Sequence, residues 1–148
     1  MNFQGEYINL IDPKGRASIP SRFRETLNNA YGDDRLVVTK NIDGGLTAYP
    51  LSRWPQLVEN VKGQPAGRNK TAMIRLLVSP AQECTFDKQG RIQIPLSLRS
   101  HASLTKEIVV VGHFDKIEIF NQSHYDQVTL TSESFLQEHP QEMADMGF

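Results

Sequence analysis

Apolar and polar residues alternate along several short stretches of this chain, and turn residues close each of them. Residues 6–11 and 82–86 read as extended segments. Each is followed by a turn and a second alternating stretch that ends at Pro20 or Pro95. Asp12-Pro13-Lys14-Gly15 suits a type I turn, because Asp bonds the backbone, Pro pre-sets φ and Gly accepts a left-handed conformation. Each proline is well placed for the first turn of a short helix. Phe23, Leu27 and Tyr31 fall at i, i+4, i+8, and Leu98 with Ala102 at i, i+4, so each helix has one apolar stripe. Second hairpins follow over 36–49, turning at Asp43-Gly44-Gly45, and over 107–120, turning at Gly112-His113-Phe114-Asp115. Between them, Ser52 is placed to cap a helix carrying Trp54, Leu57, Val58 and Val61, and residues 69–78 read as another helix stopped by Pro80. Ser123 opens a further short helix, and beyond Thr131 weak periodicity predicts a fraying end.

This order of elements occurs twice because the sequence is a tandem repeat. Asp12-Pro13-Lys14-Gly15-Arg16-Ala17-Ser18-Ile19-Pro20 aligns with Asp87-Lys88-Gln89-Gly90-Arg91-Ile92-Gln93-Ile94-Pro95 at a shift of 75 positions, and the same shift brings Phe23-Arg24 onto Leu98-Arg99. Leu36-Val37-Val38 then recurs as Ile108-Val109-Val110, and Leu46-Thr47-Ala48-Tyr49 as Ile117-Glu118-Ile119-Phe120. The boundaries that follow are a first module over 5–54, a helical connector over 55–80, a second module over 81–126 and an acidic tail over 127–148.

Charge changes the picture only through its distribution. The 148 residues carry a net charge of −1, with 39% hydrophobic and 22% charged positions, ordinary values for a globular chain. Residues 130–148 hold Glu133, Glu138, Glu142 and Asp145 with no Lys or Arg, so the rest of the chain stands at +3, with basic clusters near 14–24 and 68–75. A local basic face is enough for phosphate contact. No apolar run reaches the length that spans a bilayer, and the first residues lack a basic start and an apolar core, so a membrane anchor and a signal peptide are not expected. Cys84 is the only cysteine, which excludes an internal disulfide and fits a cytoplasmic protein.

Two Asp-x-x-x-Arg hairpins, each followed by Ile-Pro and an Arg-bearing helix, resemble the MraZ family. The matching residues run from Gly5-Glu6-Tyr7 through the two turns, Asp43-Gly44, Tyr49-Pro50, Trp54 and Glu83-Cys84 to Ile117-Glu118-Ile119. The resemblance implies an α+β, mainly β fold: two tandem swapped-hairpin modules of the SpoVT-AbrB type, forming a pseudo-two-fold, double-psi-like β core with short flanking helices. It further implies a sequence-specific regulator, acting as a repressor on short direct repeats in the promoter of the division and cell-wall gene cluster. A ring-shaped homo-oligomer associated with the nucleoid is part of the same expectation. Ala17, where the family usually has a bulkier aliphatic, and the acidic tail are departures.

The residues suit that role on chemical grounds. A two-stranded ribbon fits the major groove of B-DNA. Arg16 and Arg91, each just past a turn, can make bidentate contacts with guanine or phosphate. Lys14 and Lys88 supply point charges at the turns, and Arg22, Arg24 and Arg99 lie on the following helices. Asp12, Gly15, Asp87 and Gly90 form the turns. A second reading stays open, in which Asp12–Arg16 and Asp87–Arg91 are ion pairs that serve structure only; exposed pairs of that kind contribute about 0–1 kcal/mol. For Arg24 and Arg99, internal pairing weighs the same as DNA contact. Trp54 with Leu57, Val58 and Val61 reads as core or subunit interface, and Cys84 as a small buried hydrophobe. His101, His113, His124 and His139 show no metal-ligand spacing, and no phosphate loop, nucleophile elbow or catalytic dyad is present. An Arg-paired carboxylate is a poor general acid. No enzyme activity, cofactor or small-molecule substrate is therefore expected. The alternative to the regulator is an antitoxin-like swapped-hairpin protein, which binds its own operator and whose tail wraps a toxin partner.

Overall fold

The computed structural model describes residues 2–148. Eight strands appear in chain order: β1 (Glu6–Leu10), β2 (Arg16–Ser18), β3 (Leu36–Lys40), β4 (Leu46–Pro50), β5 (Gln82–Cys84), β6 (Arg91–Gln93), β7 (Glu107–His113) and β8 (Lys116–Asn121). Helix α1 (Ser21–Tyr31) follows β2, and α4 (Leu96–His101) follows β6. Helices α2 (Trp54–Lys62) and α3 (Arg68–Met73) connect the repeats, while α5 (Gln122–Gln137) and α6 (Pro140–Asp145) end the chain.

The two repeats exchange strands. An antiparallel sheet runs in the order β1-β7-β8-β4-β3-β5, so β1 of the first copy lies beside β7 of the second, and β5 of the second beside β3 of the first. β2 and β6 form a separate two-stranded ribbon. Every register obeys one pseudo-two-fold axis. In the ribbon Ala17 opposes Ile92, its own repeat equivalent, and in the sheet Thr47 opposes Glu118, likewise equivalent. Both Ala17 and Ile92 are fully buried. A small side chain thus sits against a large one on the axis.

Alternation along the strands sorts side chains onto two faces of the sheet. Leu36, Val38, Leu46, Ala48, Ile108, Val110, Ile117 and Ile119 point inward. They share one core with Ala17, Ile92, Phe23, Leu27 and Leu98, which places the ribbon, α1 and α4 on that side. The predicted stripes of α1 and α4 are the buried ones. Val37, Val109 and Phe120 are buried on the opposite face, outside that core. There the Thr39 hydroxyl donates to the Leu77 carbonyl (2.8 Å), and α5 lies over β7 and β8.

Several local expectations change. The β7–β8 turn is only Phe114-Asp115, with Phe114 at φ 60°, and Gly112 and His113 belong to the strand. Gly112 is required there by close approach: a Cβ would lie 2.4 Å from the Gln4 backbone nitrogen. Ser52 does not cap α2; a 3-10 turn (Leu51–Arg53) leads into the helix, with no side-chain cap. Residues after Met73 continue as a π turn (Ile74–Val78). Asn121, not Ser123, caps the next helix, its Oδ1 accepting from the Ser123 amide at 2.9 Å. That helix runs for 16 residues and α6 follows it, so the expected frayed end is helical, although residues 130–138 are all exposed.

Candidate nucleic-acid interface

The ribbon has one buried and one outward face. Ala17 and Ile92 point into the core, so alternation turns Arg16 and Ser18 on β2, and Gln93 and Arg91 on β6, to the outside. A turn borders each end. In the first, the Gly15 amide donates to the Asp12 carbonyl (2.9 Å) and Gly15 takes φ +86°; in the second, the Gly90 amide donates to the Asp87 carbonyl (3.1 Å) and Gly90 takes φ +76°. L-residues rarely adopt such angles, which is why both copies carry glycine there.

Each aspartate holds its turn and its arginine together. Asp12 Oδ1 accepts from the amides of Lys14 (3.0 Å) and Arg16 (2.9 Å), while Oδ2 accepts from Arg16 Nε at 2.6 Å. Asp87 repeats the pattern with the amides of Gln89 (2.8 Å) and Arg91 (3.0 Å) and with Arg91 Nε at 2.9 Å. The amides of Arg16 and Arg91 lead in holding both carboxyls below the usual carboxylate range, and the guanidinium groups add to this. The ion pairs of the structural reading are therefore formed, but the arginines are not sealed in. Their side chains keep 37% and 23% of their surface exposed. Each is held through Nε, and the only further partner among the described residues is Asp12, 3.7 Å from Arg91 Nη1.

The other expected site residues divide. Lys14, Lys88 and Arg22 are exposed. Arg24 pairs with Asp34 (3.1 Å) and lies 4.8 Å over the Phe86 ring. Arg99 donates from Nε to the Ile94 carbonyl at 2.9 Å. Both are thus engaged within the protein. Two residues near the ribbon were missed from sequence. Gln93 donates from its side-chain amide to the Lys14 carbonyl. Lys106 borders an open groove of about 560 Å³ that Arg16, Ser18 and Arg91 also line. The signal for Gln93 was present, since it is the one outward ribbon position at which the repeats differ.

Among the described residues, no three His, Cys, Asp or Glu side chains cluster as metal ligands, and no helix is long and apolar enough to cross a membrane. Buried Cys84 bonds through Sγ to the Gln93 carbonyl (3.4 Å), the counterpart of the Asn9 side chain on the Ser18 carbonyl (2.8 Å). Burial pushes its thiol up to about 11.

Two hairpin repeats that exchange strands about an internal axis, with an arginine-bearing ribbon on that axis, define a tandem swapped-hairpin protein. The profile described as "MraZ protein, putative antitoxin-like" matches residues 3–75 and again 77–146. The chain is 49% identical to the transcriptional regulator MraZ of Syntrophotalea carbinolica, with both chains covered in full. It is 42% identical to the protein of that name from Pelotomaculum thermopropionicum, over 98% of this chain and 97% of the relative. The figure for Pediococcus pentosaceus is 39%, over 98% and 99%. The chain belongs to the MraZ family of transcriptional regulators.

Proposed function

We propose that the β2·β6 ribbon is the DNA-reading head of a sequence-specific regulator. The observation that carries this is the outward face of the ribbon, with Arg16 and Arg91 each buttressed through Nε by an aspartate of the adjoining turn. An exposed ion pair contributes at most about 1 kcal/mol to stability, so orientation is the better account of building it twice. With Nε occupied, the terminal Nη pair is left for end-on contact with guanine O6 and N7 or with phosphate. Lys14, Lys88 and Arg22 add phosphate contacts, while Arg24 and Arg99 support the head from within. On this reading the protein is cytoplasmic and nucleoid-associated. It represses the division and cell-wall gene cluster by binding direct repeats in the promoter. A ring-shaped homo-oligomer would engage repeats about 10 bp apart, and effective concentration would raise the affinity of individually weak heads.

The test is fluorescence anisotropy on a promoter fragment bearing the repeats. Arg16→Ala combined with Arg91→Ala abolishes binding, while light scattering shows the assembly unchanged. Lys14→Ala and Lys88→Ala each flatten the dependence of log affinity on log salt by about 0.9. Wild-type affinity in the double arginine variant defeats the assignment. A toxin-binding protein is the second reading, favoured by Leu130, Phe135 and Leu136 standing exposed on α5. A small toxin that co-purifies with the chain supports it.

A further inference from the structure

The two halves of the ribbon are not equivalent. An exact two-fold axis through Ala17 and Ile92 would require the same residue at 18 and 93, yet these positions hold Ser and Gln. The consequence is structural as well as chemical. The Gln93 amide reaches across the axis to the Lys14 carbonyl in the first turn. The reciprocal bond would run from Ser18 to the second turn, and among the described residues the Ser18 hydroxyl makes no hydrogen bond there.

Two further contacts follow the same asymmetry. Arg91 Nη1 lies 3.7 Å from Asp12, with no matching approach of Arg16 to Asp87. Arg99 packs on Gly15 so closely that a Cβ there would lie 2.5 Å from Nε, whereas Gly90 faces nothing within 4 Å. Its equivalent Arg24 turns away to Asp34. The first turn is thus clamped by three side chains of the second repeat, whereas the second turn keeps only the backbone bond both turns share, there from the Ile19 amide to the Gly90 carbonyl (3.2 Å).

Resting on the DNA-reading role of the ribbon, we infer that Gln93 is a specificity-determining residue that gives each reading head a direction, so that one chain recognises a non-palindromic element. A carboxamide whose N–H is partly committed to Lys14 keeps a carbonyl acceptor and a second N–H, the pair that adenine presents itself to in the major groove. Ser18, one short hydroxyl, cannot make that paired contact in the other half. The fixed first turn sets the register, and the amide reads a base pair on one side of the axis only. Elements with a direction can be repeated head to tail, and inverting one of them presents the wrong base pair to Gln93.

The experiment is selection from a randomised duplex library, with anisotropy on the recovered duplexes and on bulk sonicated DNA. Wild-type protein recovers a motif without dyad symmetry. Gln93→Ser loses preference at one base pair, a drop in discrimination of roughly tenfold (about 1.4 kcal/mol), while its affinity for bulk DNA stays unchanged because no charge is altered. Ser18→Gln gains preference at the dyad-related position, and this second variant tests the inference even if the first folds poorly. A dyad-symmetric wild-type motif, or an unaltered motif from both variants, overturns it. The failure of the DNA reading looks different: wild type recovers no motif, and the double arginine variant binds bulk DNA as wild type does. In that case both readings fall together.

Discussion

The repeat supplies a controlled comparison at Gly15 and Gly90, which are equivalent in sequence and in backbone conformation but not in surroundings. Replacing either with alanine forces an L-residue to φ +86° or +76°, a strain of about 1–2 kcal/mol. It also removes the same backbone freedom from the unfolded chain, so that contribution cancels in the difference. What remains is packing. At position 90 the new methyl meets nothing within 4 Å; at position 15 it lies 2.5 Å from Arg99 Nε and 2.7 Å from the Ile94 carbonyl oxygen.

Those two atoms cannot both retreat. The Ile94 carbonyl accepts from Arg99 Nε (2.9 Å), and the Ile94 amide donates to the Gly15 carbonyl at 2.8 Å. Overpacking of this kind costs about 1–3 kcal/mol, and a displaced hydrogen bond about 1 kcal/mol more. Gly15→Ala is therefore expected to exceed Gly90→Ala by about 2–4 kcal/mol. Thermal unfolding followed by circular dichroism reads this as a further fall in Tm of roughly 4–16 °C for a chain of this size. Adding Arg99→Ala to Gly15→Ala should recover part of the loss, giving a coupling of about 1 kcal/mol, while the same addition to Gly90→Ala recovers nothing. Equal losses at the two positions would refute the clamp on the first turn.

Asp12 and Asp87 are held below their usual range in the folded state, so they stabilise it above the unfolded value of about 3.9, and that contribution is lost as pH falls through their lower folded values. Asp12→Asn with Asp87→Asn should accordingly flatten the fall of Tm below about pH 4; acid profiles parallel to wild type would remove these carboxyls from the account. Ending the chain after residue 129 changes the net charge from −1 to +3 and removes no buried side chain from 130–138. The fold should keep its Tm within about 2 °C, and affinity for bulk DNA at low salt should rise, both measurable on one preparation.

The strands of the second hairpins, the two short helices and the Asp-x-x-x-Arg turns were legible because each has a local cause: alternation, a stripe at helical spacing, or turn chemistry at fixed offsets. The exchange of β1 and β5 between copies was not legible from residues. A strand folded back on its own module and one crossed to the other show the same alternation, and only the family resemblance supplied it. Gly112 reads as a turn residue by type, but its function is to let the chain at Phe3 and Gln4 pass over β7, a contact between segments more than 100 positions apart in sequence. Asn121 displaced Ser123 as the cap because both carry capping side chains and local sequence does not rank them. Arg24 and Arg99 admit either role in the sequence for a similar reason, since their partners Asp34 and the Ile94 carbonyl become neighbours only when the chain is folded.

Strand exchange also explains why the ribbon can be asymmetric at all. β2 and β6 are three residues each, and an isolated two-stranded ribbon is marginal in water at best. The ribbon persists because both central residues are buried and because Ile11 bridges to Ala17 and Phe86 to Ile92 along its two outer edges. It is therefore assembled from both repeats or not at all. A protein with one such module would have to dimerise to build the same ribbon, and an isologous interface would then impose the same residue on both sides of the axis. Joining the two modules in one chain lifts that constraint: position 93 can diverge from position 18, and Arg99 from Arg24 in its contacts, without any cost to symmetry-related partners. The duplication preserves the burial of the axial pair, Ala17 and Ile92, and the two aspartate-held turns, where departure would unmake the ribbon. On the outward face it has diverged at 18 and 93, where no core packing holds the side chain.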